Sequence, residues 1–195
     1  GWARQSSEPV RFTQLVSRLS ALDMNVVLID YDKRFGWGKK QSIDIWWRGG
    51  GHNGNLALSL AKFITLSEDW ANAKIRLLIV NSNNDLSSSI YEDAKQVIDN
   101  LRISADVMII NNEIEQRSFY EIIQVESVNT DLTFLGFPPI VKGEEENFVE
   151  QTNKLCHNIG TVAIIQASSE FKKLSLGEIQ TTKLEEGKFS ETLEE

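Results

Sequence analysis

The densest run of chemically suggestive residues is Gly49-Gly50-Gly51-His52-Asn53-Gly54, with Arg48 just before it. Successive glycines let backbone N–H groups approach a ligand, and a helix N-terminus adds the positive end of a dipole. Gly49, Gly50, Gly51, Asn53 and Gly54 are therefore the candidate anion or nucleotide contacts, with Arg48 and His52 adding charge. The run matches neither GxGxxG after a buried strand nor GxxxxGK[ST], so the competing reading is a structural turn. Asp30 and Asp32 close an apolar run, where a ribose or metal carboxylate belongs in an α/β fold. Their plainer reading is a solvated strand end beside Lys33 and Arg34.

The remaining reactive side chains do not form a constellation. His52, His157 and Cys156 show no CxxC, HExxH or HxH spacing, so no metal site is expected. Cys156 with a distant histidine is nominally a nucleophile pair, but it falls on the apolar stripe of a helix, where thiols are inert. There is no GxSxG. The polar stretch 81–85 reads as a helix cap rather than a crevice. No catalytic residue and no cofactor are assigned, and the reading is non-enzymatic.

These residues need elements to hold them. Phe12, Leu15, Val16, Leu19 and Leu22 recur at helical spacing after Pro9. Residues 25–31 (NVVLIDY) form an apolar, β-branched run that predicts a central strand buried on both faces. A basic, glycine-broken loop, 32–40, leads to a strand at 42–48. So short a connection predicts a hairpin-like pair, with the second strand antiparallel at a sheet edge. Trp46 and Trp47 then point to opposite faces; one is core, and the other is a candidate partner-interface residue on an exposed edge. Helices are expected at 53–65, 87–101, 118–125 and from 144, with strands at 75–80, 105–110, 130–136 and 161–166. This alternation predicts βαβ units and a three-layer α/β/α, Rossmann-like sandwich, mainly parallel with one antiparallel edge strand.

Composition bounds the rest. The chain has 195 residues, 41% of them hydrophobic, enough for a single domain over residues 1–170. Residues 171–195, rich in Glu, read as an acidic, poorly ordered tail. No run approaches the ~18 apolar residues of a membrane span, so no direct insertion is expected. The start resembles a segment cut from a longer chain. One cysteine suits a reducing compartment, and a net charge of −8 argues against nucleic acid as partner and against adhesion to anionic lipid.

The strand IDIWW (43–47), then Gly50-Gly51, a leucine-rich helix, Trp70 and KIR (74–76) together resemble a known family. They are similar to the cytoplasmic C-terminal domain of the cation-chloride cotransporters, the Na-K-Cl and K-Cl carriers, in a prokaryotic-type member. The family's acidic loop is replaced here by residues 48–51. Residues 131–139 (DLTFLGFPP) and 148–167 are similar to its later segments. The family's cytoplasmic domain has two halves, each like a universal stress protein, and this chain resembles one half or a compact version. The resemblance implies a non-catalytic regulatory domain of an ion-transporting symporter, on the cytoplasmic side of the cell membrane. Its implied partners are the transmembrane domain of the same chain and a second copy, as a homodimer. The alternative is a nucleotide-binding, universal-stress-like protein using the Gly49–Gly54 turn.

Overall fold

The computed structural model describes residues 8–48, 52–138, 140–157, 159–169 and 171. Gly49, Gly50 and Gly51, and the expected tail beyond Phe171, lie outside the described residues. Chain order is α1 (Pro9–Ala21), β1 (Val26–Asp30), β2 (Ser42–Trp47), α2 (His52–Ile64), β3 (Lys74–Asn81), α3 (Ser87–Leu101), β4 (Asp106–Asn111), α4 (Phe119–Glu126), β5 (Leu132–Gly136), α5 (Glu145–Cys156) and β6 (Thr161–Gln166). Local chemistry sets several boundaries. Pro9 opens α1, where its missing N–H costs nothing. Ser118 and Glu121 form a reciprocal capping box at the start of α4.

The strands make one sheet in the order β1-β6-β5-β2-β3-β4. β2 is parallel to both β3 and β5, β3 to β4, and β5 to β6; β1 alone runs antiparallel, against β6. One antiparallel edge strand on a parallel sheet is as expected, but the strand that holds it is not. β2 is central and β1 is the edge. The connection between them, 31–41, does not turn back as a hairpin. It crosses the amino ends of β6 and β5, a span of about 14 Å at three strand spacings. Fixed points hold it on the way: the Asp32 N–H donates to Thr161 Oγ1, and the Thr161 hydroxyl donates to the Gly36 carbonyl. Beyond them, the N–H groups of Lys39, Gln41 and Ser42 donate to the Asp131 carboxylate. Gly38 (φ +58) leaves the space that this carboxylate fills, since a Cβ there would lie 1.9 Å from Asp131 Oδ1.

The two faces of the sheet carry separate cores. Ile43, Ile45, Trp47, Leu77 and Ile79 pack under α2 and α3. Trp46, Leu78, Leu135, Val162 and Ile164 pack under α1, α4 and α5. Trp46 is 4% exposed and Trp47 1%. The expectation of an exposed indole for a partner is corrected accordingly: a central strand is covered on both sides. The reverse holds for β1, whose Val27 and Ile29 are 42% and 36% exposed because only its Leu28 face is packed.

Candidate functional site

The order of the sheet reverses between β2 and β5. From β2 the chain adds β3 and β4 to one side; from β5 it adds β6 to the other. In open α/β sheets, ligands bind at the carboxyl ends of strands at such a reversal. β2 therefore ends at the switch point, not at an edge. Around the carboxyl end of β2 lie Arg48 and the first turn of α2, with Gly136 of β5 beside Asn53 and the Arg48 guanidinium 5.5 Å from the Phe119 ring centroid at the start of α4.

Two of the candidate contacts have structural work here. The Ala167 N–H donates to Asn53 Oδ1 at 2.8 Å, tying α2 to the segment after β6. Gly136 lies under the Asn53 amide; a Cβ there would come within 3.1 Å of Nδ2. Gly54 sits on the Trp47 indole, and a Cβ would fall 2.2 Å from Cε3. Its glycine is needed for close helix–strand packing, whatever the turn binds. Trp47 Nε1 and Asn55 Oδ1, both buried, have no hydrogen-bond partner among the described residues.

The neighbouring strand ends are closed by their own polar residues. Buried Asn81 accepts from the Asn83 N–H and donates to Ser87 Oγ, while Asn83 accepts from the Asp85 N–H. Asn112 exchanges bonds with the Arg117 backbone. The stretch after β3 is thus a cap, as its composition suggested. Asp30 and Asp32 lie at the opposite end of the sheet, because β1 runs antiparallel. Asp32 is held below the usual carboxylate range first by its side-chain bonds to Arg34. Cys156 is packed into the core, and burial pushes its thiol far above the ordinary range. Among the described residues no cluster of His, Cys, Asp or Glu is grouped to hold a metal.

The most developed polar assembly is one that sequence reasoning left unassigned. Asp44, fully buried in β2, sits opposite Arg76 in the parallel register with β3. Arg76 grips it with Nε and Nη2, both at 2.7 Å. Ser127 and Thr130, from the α4–β5 connection, donate their hydroxyls to Asp44 Oδ2 at 2.7 and 2.6 Å. Trp46 Nε1 donates to Ser127 Oγ, and Arg76 also donates to the Glu126 carbonyl. The side-chain bonds to Asp44 raise the Arg76 guanidinium above its usual range. A buried carboxylate with this many donors is satisfied rather than reactive. The signal was available: a lone Asp and a lone Arg in adjacent apolar strands need each other. These are also the residues of the IDIWW and KIR runs.

The sheet order, the two helical layers and the switch point define the universal-stress-protein type of α/β fold. No family model matches the chain. Among solved structures, it is similar to the cytoplasmic domain of a prokaryotic cation chloride cotransporter, with a TM-score of 0.61 at 14% identity over 80% of this chain and 58% of that one. It is also similar to a universal stress protein from Archaeoglobus fulgidus, with a TM-score of 0.54 at 14% identity over 76% and 51%. The chain thus spans little more than half the length of either. At this identity the likeness is one of fold. No helix among the described residues is long and apolar enough to cross a membrane.

Proposed function

We propose that this chain is a non-catalytic regulatory domain from the cytoplasmic side of a membrane cation-chloride cotransporter of the Na-K-Cl type. It acts by protein contact, docking on the transmembrane domain of its own chain and pairing as a homodimer. The observation that carries the reading is the Asp44–Arg76 assembly. The runs by which the sequence resembles that family lie side by side in β2 and β3 and bond to one another, so they form one structural unit. The fold likeness to a cotransporter's cytoplasmic domain supports the same reading. So does the engagement of Asn53, Asn81, Asn83 and Asn112 in loop and helix bonds, which leaves them little capacity for chemistry. The test is the natural reading frame, followed by chloride and cation flux through the full-length protein with and without this segment. About ten or more apolar helices upstream and altered flux on deletion are expected. A frame opening near Trp2 refutes the reading.

A second reading, a nucleotide-binding stress-type protein, is favoured by one observation: β2, the strand that the glycine run follows in sequence, ends at the switch point between β2 and β5. Calorimetric titration with ATP separates the two. Binding that disappears in Gly50→Val/Gly51→Val supports nucleotide sensing. No heat, with a concentration-dependent dimer in sedimentation, supports contact alone.

A further inference from the structure

The loop YDKRFGWGKK, residues 31–40, projects from the end of the sheet opposite the switch point. Phe35 is 69% exposed, Tyr31 46% and Trp37 37%. Lys33, Arg34, Lys39 and Lys40 are interleaved with them in a chain of net charge −8; Asp32 is the one carboxylate within the loop, and Asp69 and Asp131 meet it from outside. Arg34 takes up Asp32, and its guanidinium lies 5.2 Å from the Phe35 ring centroid. Lys40 pairs with Asp69, whereas Lys33 and Lys39 make no ion pair among the described residues. The loop is firmly built. The Gly36 N–H donates to the Asp32 carbonyl at 2.7 Å, and the Tyr31, Trp37 and Trp70 rings meet edge-on in series at 5.6 and 6.4 Å. The exposure of Phe35 is therefore imposed by a braced turn. Val27 and Ile29 continue the apolar strip on the Tyr31 side of β1.

Resting on the cotransporter reading, we propose that this loop is the surface the domain sets against anionic lipid. Aromatic rings interleaved with Lys and Arg are the chemistry of the headgroup boundary, where the rings enter the acyl margin and the cations meet phosphate. A single protruding loop is a small footprint beside the roughly 20–30 residues a side of a stable protein interface. A fluid surface needs no complementary shape. The acidic remainder of the domain is repelled by the same surface, which orients the loop toward it. This local arrangement reverses the expectation drawn from net charge alone.

The test is co-flotation of the 195-residue chain with vesicles of phosphatidylcholine, alone or mixed with phosphatidylglycerol, at low ionic strength. Binding to the mixed vesicles only, weakening with salt, is expected. Lys33→Gln/Lys39→Gln lowers partitioning about 25-fold, roughly fivefold for each cation near the surface. Phe35→Ser lowers it further, and Lys142→Gln, at the other end of the sheet, leaves it unchanged. All four substitutions fall on exposed side chains, and circular dichroism checks the fold. The proposal is overturned by absent binding, by equal binding to neutral vesicles, or by loop variants that bind as well as the parent. It is equally overturned if the loop variants abolish self-association without lipid, which identifies a protein partner. Lipid binding that fails beside upstream transmembrane helices removes this inference and leaves the cotransporter reading. Lipid binding in a chain without such helices does the reverse.

Discussion

Replacing Arg76 by Met tests the central assembly most directly. Asp44 is fully buried, and Arg76 supplies two of its four short hydrogen bonds at 2.7 Å. The substitution keeps the length of the apolar stem but leaves the carboxylate with only the Ser127 and Thr130 hydroxyls. Removing one partner of a buried pair costs about 3–5 kcal/mol, mostly as the penalty of the stranded charge. The Arg76 side chain is 32% exposed, so screening places the expected loss near the low end, about 3 kcal/mol. With a urea m-value of about 2 kcal/mol/M, the midpoint falls by about 1.5 M. Changing both partners, Asp44→Leu with Arg76→Met, removes the stranded charge along with its counter-ion. That variant is expected to be more stable than Arg76→Met alone, although Ser127 and Thr130 each lose an acceptor. The assay is urea unfolding of the four corners of the cycle, followed by fluorescence and circular dichroism with coincident transitions as the two-state check. A loss below about 1 kcal/mol in Arg76→Met, at unchanged m, would show that water or rearrangement satisfies Asp44 and would refute the reasoning.

Three further outcomes follow from other contacts. Gly54→Ala places a methyl against the Trp47 ring and should cost about 1–3 kcal/mol by overpacking, read as a lowered urea midpoint. Asp131 is opposed by burial, which raises its pKa, but the N–H groups of Gln41, Lys39 and Ser42 and the Ser42 hydroxyl outweigh this and hold it below the usual value. A depressed folded value means that the unfolded chain binds the proton more readily. The contribution is therefore fully present above the ordinary carboxylate pKa and lost as pH falls through the folded value. Asp131→Asn should accordingly be destabilised at neutral pH, with the gap to the parent closing in acid. Cys156, buried and with its thiol pushed up, should react with a maleimide only on unfolding; rapid labelling of the native chain would contradict its placement.

Legibility followed the range of the interaction. Strand β6 occupies 161–166 as its apolar run predicts, and Ser118, where the expected 118–125 helix begins, caps α4. The same local logic misread β1. A continuous VVLID run suits a doubly covered strand, yet among the described residues β1 pairs with β6 alone, α2 packs on β2, β5 and β6, and Val27 and Ile29 stay exposed. Local pattern likewise places β2 at an edge; its central position, parallel to both β3 and β5, comes only from long-range pairing. The Asp44–Arg76 contact was visible only as two isolated charges in apolar runs; pairing them required the register of β2 on β3.

By itself, the sequence determined the kinds of element, their order and the parallel βαβ character, because periodicity, caps and turn residues act within a few positions along the chain. Only the tertiary structure decided the order of the strands, and with it three consequences: β2 at the switch point, both Trp46 and Trp47 in the core, and Tyr31 through Lys40 carried across the sheet to expose Phe35. Strand order is set by which way each crossover returns over the sheet. That choice depends on packing between residues about 90 to 130 positions apart, such as Asp131 with Ser42 and Thr161 with Asp32, and no local pattern encodes it.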